Sequence, residues 1–450
     1  MPNRARITRR SFLNNTAALA GAAWAAPAIV PAAVLGADPE KPAPSRRIAV
    51  GMIGMGRQAQ LVNMKQLLKM PDAAILAVCD VDAWRLAGAK QAIAKEYGGG
   101  KPSGTYRGCD ACVEFRDLLA RRDLDAVMIS TPDHWHTPMA LAAMEAGKDV
   151  SLEKPITRTI AEGRRLAETA NRLGRVFRVD SEFRSLAHFH RACELVRNGR
   201  IGKLHAIRSG VPAGDNVDCP YPAGASLPVP KDLDYERWQG PAPRAAYHEE
   251  RVHPPKTLGR PGWMRVLDYC DGMITNWGAH LNDIVLWGAN SERTGPVQIE
   301  GRGQYPPSRR LWNVLKTFEI AYDYAGGLRL VYKTDKPYVR FEGSEGWIQV
   351  DYPKGLTAEP AKLLDAQIGP DGVHFRLKSD KQDFIDCVKT RQETLEPAEV
   401  GHRVTSLCHL GHIAVHLGTK LTWDPDKERF LDNDAANQFL DQPIHAPRHA

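Results

Sequence analysis

Long apolar runs are absent from this 450-residue sequence, apart from an alanine-rich stretch near the N-terminus that Pro27 and Pro31 interrupt. No other segment approaches the roughly 18 apolar residues that a membrane-spanning helix needs, so we expect no membrane span in the mature chain. A strong charge excess is also absent. The formal net charge is +7, and because the first 37 residues hold four arginines and no acid, the remainder carries only +3. This balance argues against a nucleic-acid partner.

Cysteines are few and scattered. Of the eight, only Cys109 and Cys112 show the C-x-x-C spacing. A zinc or redox site of this kind needs a second pair or suitably placed histidines, so we predict no metal centre. The pair is either a coincidence of spacing or a surface disulfide.

The N-terminus has the pattern of a twin-arginine export signal. TRRSFL at residues 8–13 precedes a weakly apolar run over 16–34, and residues 35–37 offer small side chains for cleavage. An uncleaved amphipathic leader is the alternative. This signal class implies that the twin-arginine machinery exports a folded protein, often with its cofactor already bound. We therefore expect residues 1–37 to be a signal peptide and the mature protein to be periplasmic or otherwise exported by this route.

Short apolar runs alternate with helical patterns after a Pro-rich linker at 38–46. The runs over 48–53, 74–79, 124–130 and 149–153 predict a parallel, doubly wound sheet. After about residue 200, longer runs joined by Gly-rich turns predict an open, mainly antiparallel sheet. The predicted fold class is therefore α/β. A Rossmann dinucleotide-binding domain is expected over 38–172, and an α+β domain for substrate binding and oligomerisation over 173–450.

A G-x-G-x-x-A loop follows the first predicted strand. Gly54 permits a tight turn, Gly56 lets the backbone approach a pyrophosphate, and Ala59 allows close packing of the following helix. Asp80 ends the next strand, where a carboxylate accepts ribose hydroxyls and repels a 2′-phosphate. The sequence therefore predicts NAD as cofactor, with NADP less favoured although Arg57 and Arg85 are near in sequence.

Two further segments complete a family pattern. STPDHWHTPMALAAMEAGKDVSLEKPIT covers residues 130–157, and ITNWGAHLNDIVLWG covers 274–288. With the glycine loop, they resemble the Gfo/Idh/MocA family of oxidoreductases, whose hallmark is Glu-Lys-Pro closing a strand. The resemblance extends from about Arg47 to WDPDKERFLDNDAANQFL near the C-terminus.

The resemblance implies roles for individual residues. Lys154 follows a parallel strand, where it would hold a substrate hydroxyl and stabilise the developing alkoxide. Residues 274–288 are predicted to form one helix, with Asn276, His280 and Asp283 on a shared face. His280 is the expected general base, since a pKa near neutrality suits that task. Asn276 replaces the acid usual in the family, so it can only hold a hydroxyl or orient His280. The cofactor-binding residues predicted from the loop and the resemblance are Gly54, Gly56, Arg57, Gln58, Asp80, Thr131, Pro132, His136, Glu153, Lys154 and Arg184.

Substrate contacts are expected from the aromatic and charged segment that precedes the predicted helix over 274–288. The predicted residues are Trp263, Arg265, Tyr269 and, within the helix, Asp283. Packing within a long insertion is an equal alternative for the first three. The histidines at 402, 409, 412 and 416 recur at helical spacing and are expected to be structural rather than metal ligands.

These features predict an oxidoreductase that oxidises a secondary hydroxyl of a sugar, polyol or glycoside with tightly bound NAD. An NAD-dependent glycoside hydrolase or epimerase that passes through a transient ketone is one alternative. A non-catalytic carbohydrate-binding protein with a structural nucleotide is another. Because the open sheet has a face to bury, and because sheets pair in this family, we expect a homo-dimer or homo-tetramer.

Overall fold

Two sheets organise the residues that the computed structural model describes, which are 46–98, 108–214, 219–307 and 309–445. The predicted signal peptide at 1–37 lies outside these ranges. One sheet carries the nucleotide-type half of the chain and the other carries the remainder, as the sequence predicts.

The first sheet is parallel throughout, with strand order β3-β2-β1-β4-β5-β6. Apolar and polar residues do not alternate along its central strands, because helices cover both faces of the sheet. The strands are β1 (Ile48–Ile53), β2 (Ala73–Cys79), β3 (Asp110–Cys112), β4 (Ala126–Ile129), β5 (Asp149–Glu153) and β6 (Phe177–Asp180). A π-helical turn, Ala59–Asn63, runs into the first α-helix, and the helices are α1 (Met64–Leu68), α2 (Ala83–Gly98), α3 (Phe115–Leu119), α4 (His136–Glu145) and α5 (Ile160–Arg172).

Strand β6 extends the parallel sheet beyond residue 172, where the sequence places the domain boundary. Because β6 and β3 are short, a search for long apolar runs does not predict them. The predicted doubly wound arrangement itself is confirmed.

The second sheet is mixed, with order β13-β12-β11-β7-β10-β9-β8-β14-β15. Strands β7 and β10 pair in parallel, and the other pairs are antiparallel. The strands are β7 (Leu204–Val211), β8 (Gln298–Gln304), β9 (Thr317–Asp323), β10 (Arg329–Thr334), β11 (Tyr338–Gly343), β12 (Gly346–Asp351), β13 (Leu356–Glu359), β14 (Leu421–Asp424) and β15 (Arg429–Phe430). The helices of this half are α6 (Ala187–Arg197), α7 (Tyr235–Gln239), α8 (Met273–Asn276), α9 (Gly278–Ala289), α10 (Asp380–Thr390), α11 (Ala398–Leu417) and α12 (Asp434–Gln438).

Helices cover one face of the mixed sheet. Phe318 and Ile320 of β9 are buried in the core that includes α9 and α11, whereas Glu319 between them is exposed. The opposite face is charged, with ion pairs such as Arg302–Glu319 and Arg208–Glu342 between neighbouring strands. The predicted homo-oligomer through this face stays a prediction.

A buried ion cluster joins α10 to β6. The ammonium group of Lys381 contacts the carboxylates of Asp180 and Asp380, and all three side chains are at most 5% exposed. Burial raises the pKa of Asp180, whereas the charges of Lys381 and Arg178 outweigh burial at Asp380 and lower its pKa. The C-terminal segment is thereby fastened to the edge of the nucleotide-type sheet.

Lys381→Met is expected to lower the free energy of unfolding by about 3–5 kcal/mol, because it removes the ammonium group that contacts the buried carboxylates of both Asp180 and Asp380. Lys389→Met on the same helix is the matched control, since the Lys389 side chain is 32% exposed beside Asp72 and such pairs contribute about 0–1 kcal/mol. Urea unfolding followed by tryptophan fluorescence measures both. Equal losses in the two variants would contradict this account of the cluster.

Candidate active site

The glycine loop between β1 and α1 fits against the loop that follows β4. Gly54 has φ +84°, and a Cβ at this position would lie 2.8 Å from backbone atoms of Ser130 and Thr131. Its N–H donates to the carbonyl of Cys79 at 2.9 Å. A side chain at 54 is therefore excluded both by conformation and by contact.

Asp80, at the end of β2, holds the loop in place. Its carboxylate accepts the backbone N–H groups of Met55 at 2.5 Å and Asp82 at 2.8 Å. Burial raises the pKa of Asp80 to about 6, against the lowering effect of Arg85. Asp80 and Asp82 both balance the charge of Arg85 at this end of β2. The residues present fit NAD.

A cleft of about 790 Å³ runs along the carboxyl ends of the parallel strands. This is where doubly wound sheets bind ligands, and the volume is that of a small-molecule site. The predicted site residues that line it are Gly54, Gly56, Arg57, Gln58, Asp80, Thr131, Pro132, His136, Glu153, Lys154, Asn276 and Trp263.

A segment of the second half lies across this cleft, and we call residues 232–262 the strap. Its start pairs with the chain just beyond Asp80: the N–H of Ala83 donates to the carbonyl of Asp232 at 2.8 Å, and the N–H of Asp234 donates to that of Val81 at 2.9 Å. The strap then supplies Trp238, Gly240, His253 and Pro261, among others, to the lining.

Side chains fasten the strap along its length. His253 Nε2 lies 3.0 Å from Asp82 Oδ2, with both residues buried. Burial lowers the pKa of His253, so the neutral imidazole donates to an ionised Asp82. The guanidinium of Arg57 donates to the carbonyl of Leu258 at 2.9 Å. Trp135 Nε1 donates to the carbonyl of Trp238 at 3.0 Å.

The segment over 274–288 orients Lys154. Its Nζ donates to the backbone carbonyl of Asn276 at 3.2 Å, and the Asn276 side chain lies in the cleft. His136 ties the neighbouring loops together, with Nδ1 2.7 Å from the carbonyl of Pro155 and Nε2 2.9 Å from that of Thr131. His136 therefore fixes the walls beside Lys154 rather than offering a free nitrogen.

His280 lies beside Lys154 but is not among the described residues that line the cleft. Its Nδ1 is 2.8 Å from Ser181 Oγ, and its ring stacks on Phe183 with centroids 4.5 Å apart. Burial, followed by the positive charge of Lys154, holds its pKa well below 6.5. The expectation of a pKa near neutrality is corrected: the imidazole is neutral over a wider range and is a weaker base.

The predicted helix over 274–288 is broken at Trp277, between α8 and α9. Asn276 and His280 therefore belong to different helices, and the structure shows no hydrogen bond between their side chains among the described contacts. Asn276 instead acts on Lys154 through its carbonyl.

Arg184 and Asp283 are placed elsewhere than the sequence predicts. The Arg184 guanidinium binds the Asp283 carboxylate through Nε at 2.8 Å, and both side chains are at most 2% exposed. Glu292 completes the cluster at 2.8 Å. The expected cofactor contact of Arg184 and substrate contact of Asp283 are corrected, because each charge is neutralised inside the core and neither residue lines the cleft.

Tyr269 and Arg265 also lie outside the lining of the cleft. Tyr269 is fully buried in an aromatic cluster, with its ring 4.8 Å from that of Trp238 and 5.0 Å from that of His134. The Arg265 guanidinium stacks on Trp312 at 4.3 Å. The predicted substrate contact of Tyr269 is corrected to a packing role, that of Arg265 stays a prediction, and Trp263 lines the cleft.

Sequence reasoning assigns no individual residue of the strap to the site, whereas it does predict Thr131, Pro132 and His136 of the loop after β4. His253 and Trp238 are far from the glycine loop in sequence, and only the fold brings them to it. Asp133 lines the cleft and is 2% exposed. The one available signal was the density of aromatic and charged residues over 233–255.

Several of the remaining histidines of the described residues have ordinary partners: His402 bonds Glu428, and His412 bonds Tyr305. All eight cysteines are free, and Cys112 lies opposite Cys79 in the register of β2 and β3. Within the described ranges, no group of three or more His, Cys, Asp or Glu side chains is arranged to hold a metal. In the same part of the chain, no helix is both long and apolar enough to cross a bilayer.

The fold and the cleft together define a nucleotide-binding oxidoreductase architecture. Residues 48–181 match the family model described as oxidoreductase family, NAD-binding Rossmann fold, and residues 223–450 match its C-terminal alpha/beta domain. The chain belongs to the Gfo/Idh/MocA oxidoreductase family, and its N-terminal half is an NAD-binding domain.

The curated proteins to which this chain is similar match only part of its length. A glycosyl hydrolase family 109 protein of Shewanella sp. (strain ANA-3) is 42% identical over 123 residues, which are 27% of this chain and 26% of that protein. The chain thus spans about a quarter of the length of such curated relatives.

Two solved structures share the fold. The WlbA dehydrogenase of Bordetella pertussis, in complex with NADH and UDP-GlcNAcA, has TM-score 0.61 at 16% identity and covers 84% of this chain and 99% of its own. An aldose-aldose oxidoreductase of Caulobacter crescentus, complexed with glycerol, has TM-score 0.58 at 16% identity, with 84% and 100% coverage.

Gly54→Ala is expected to weaken NAD binding by at least about tenfold, because the added methyl group displaces the loop after β4. Gly147→Ala is the matched control: Gly147 also has positive φ, +78°, but a Cβ there meets open space. Calorimetric NAD titration checks both variants. Comparable losses of affinity would show that backbone strain, not the contact with Ser130 and Thr131, causes the effect.

Proposed function

We propose that this protein oxidises a secondary hydroxyl of a sugar, polyol or glycoside by hydride transfer to tightly bound NAD. The observation that carries the proposal is the strap, which covers the NAD cleft while Lys154 and Asn276 remain at its substrate end. Trp263 offers an aromatic face in the same cleft, a surface that suits a sugar ring.

The chemistry that NAD supplies when bound is acceptance of a hydride. The residues of this chain manage the proton of the substrate hydroxyl. Lys154, oriented by the Asn276 carbonyl, donates a hydrogen bond to the oxygen and stabilises its negative charge as it develops. His280, kept neutral by burial and by Lys154, accepts the proton.

An exported enzyme that uses NAD must keep the NAD with which it was loaded, because the compartment it enters supplies none. The N-terminal pattern supports a periplasmic enzyme loaded before transport by the twin-arginine machinery. Such an enzyme has no free NAD to exchange, so one turnover must return the cofactor to its starting state. A second sugar substrate could restore it, and a structural relative is named an aldose-aldose oxidoreductase.

A redox-neutral hydrolase or epimerase is the second candidate. The matches to glycosyl hydrolase family 109 proteins favour it, although they cover about a quarter of those proteins. Oxidation of a ring hydroxyl would be the common first step. Release of nitrophenol from nitrophenyl glycosides without added NAD would favour hydrolysis, whereas accumulation of a ketone or of a second reduced sugar would favour the oxidoreductase.

His280→Gln is expected to lower kcat/KM by about 10²–10⁴-fold while leaving the NAD content unchanged. In the unaltered enzyme, the depressed pKa of His280 means that the neutral base persists as pH falls through 6.5, so kcat/KM should not decline there. His190→Gln, at a buried histidine that bonds the carbonyl of Phe375, is the control. A rate that halves near pH 6.5, or an active His280→Gln variant, would remove His280 from the reaction.

His253→Ala is expected to speed the loss of bound NAD by about tenfold, because it breaks the hydrogen bond that fastens the strap to Asp82. His374→Ala, at an exposed histidine outside the cleft, is the control. Dialysis followed by quantification of the retained nucleotide measures the rate. Equal retention in both variants would show that the strap does not hold the cofactor.

A further inference from the structure

Two cysteines lie side by side at the end of the cleft that is marked by Asp80. Cys79 ends β2 and Cys112 ends β3, and the two residues are paired in the parallel register of these strands. Side chains of residues paired in this way point to the same face of a sheet. Both side chains accordingly pack in the same core, Cys79 as a buried member and Cys112 against its edge.

The spacing of the strands brings the two residues within reach of a covalent bond. Neighbouring strands lie about 4.8 Å apart, and disulfides join residues whose Cα atoms are roughly 4.4–6.8 Å apart. Both sulfur atoms lie over the gap between the strands. Cys79 Sγ is 3.5 Å from the carbonyl oxygen of Val113, and Cys112 Sγ is 3.8 Å from that of Val78. Each thiol thus reaches across to the strand that carries the other.

The C-x-x-C spacing identifies a different pair, which the structure does not favour. Cys109 precedes Cys112 by three residues of extended chain, a separation of about 10 Å, whereas a disulfide needs Cα atoms within roughly 7 Å. Cys109 also packs in the core that contains Val78, whose side chain points to the opposite face of the sheet from that of Cys79. Cys79 is therefore the partner that the fold supplies for Cys112.

The two thiols differ in reactivity. They share a hydrogen bond, which lowers the pKa of Cys112 and, together with burial, raises the pKa of Cys79. Cys112 is also partly exposed, whereas Cys79 is 2% exposed. Because the thiolate is the nucleophile in thiol–disulfide exchange, Cys112 is the residue that a dissolved oxidant meets first.

A bond between these residues would fasten one wall of the cleft. β3 is an edge strand of only three residues, and the N–H of Asp80 donates to the carbonyl of Cys112 at 3.3 Å. The residues that follow β3, 113–116, line the cleft. Glu114 among them lies 3.8 Å from Arg237 of the strap. A cross-link at Cys112 would therefore tie to β2 the segment that meets the strap.

We propose that Cys79 and Cys112 are a modification site at which a disulfide oxidant forms an intramolecular disulfide between β2 and β3. The described structure is the dithiol form, in which all eight cysteines are free. The site does not depend on which substrate the protein oxidises. The predicted export would bring the chain into a compartment where disulfides form and persist.

The reaction takes place in two exchanges. The thiolate of Cys112 attacks one sulfur of the oxidant's disulfide, which releases one thiolate of the oxidant and leaves a mixed disulfide on Cys112. The thiolate of Cys79 then attacks the sulfur of Cys112 and expels the second thiolate. The two cysteine thiols are oxidised to one disulfide, the oxidant's disulfide is reduced to two thiols, and the two released thiolates take up the two protons.

The test counts free thiols on the purified full chain. One sample is incubated with oxidised glutathione and a second with dithiothreitol, after which each is quenched in acid, unfolded, labelled with N-ethylmaleimide and weighed by mass spectrometry. Eight labels are expected after dithiothreitol and six after oxidised glutathione, with one cross-linked peptide pair that contains Cys79 and Cys112. Cys112→Ser should carry seven labels in both samples. Cys109→Ser, the matched control from the same C-x-x-C sequence, should fall from seven labels to five.

Eight labels in both samples of the unaltered chain would overturn the proposal. So would a glutathione that stays bound to Cys112, because Cys79 would then not displace it. A cross-link between Cys109 and Cys112, or one that persists in Cys112→Ser, would also contradict it. The count on the unaltered chain needs no variant, so the test remains available if a variant fails to fold.

Urea unfolding supplies a second readout. The oxidised chain is expected to unfold at a higher urea concentration than the reduced chain, because the cross-link restricts the unfolded state. The same difference is expected in Cys109→Ser and none in Cys112→Ser. A cross-linked chain with an unchanged midpoint would show that the bond does not fasten β3 to β2.

Discussion

The carboxylate of Asp80 connects the three segments on which the site depends. Through the N–H of Met55 it holds the glycine loop, and through the N–H of Asp82 it holds the start of α2. Asp82 in turn receives His253 from the strap. One acid at the end of one strand thus links the phosphate-binding turn to the segment that covers it, and both would loosen if this carboxylate were lost.

The features predictable from sequence are those that short-range chemistry dictates. Gly54 is needed for a positive φ and a close backbone contact, and Lys154 follows a buried strand whose end is set by Pro155. Both lie where the sequence places them. Arg184 and Asp283 are assigned to the site because nothing in the sequence shows that residues 99 positions apart neutralise each other. Helical spacing likewise predicts a shared face for Asn276 and His280, but the described side-chain contacts join His280 to Ser181 and Phe183 and not to Asn276.

The electrostatics of the site differ from a simple acid–base pair. Burial makes His280 neutral and keeps Asp133 largely protonated, so Lys154 is the principal positive charge beside the reacting end of the cleft. A cation placed at this end of the cleft is well suited to stabilise an alkoxide as its negative charge develops. The strap, drawn from the second half of the chain, contributes Trp238, Gly240, His253 and Pro261 to the lining of the same cleft.

The central claim is that the protein carries NAD as a resident group. The most direct measurement is to produce the full chain with its N-terminal segment, purify the mature protein without added nucleotide, denature it and quantify what is released. The account predicts close to one NAD or NADH per chain. Protein that releases no nucleotide, and that binds added NAD only weakly, would contradict it.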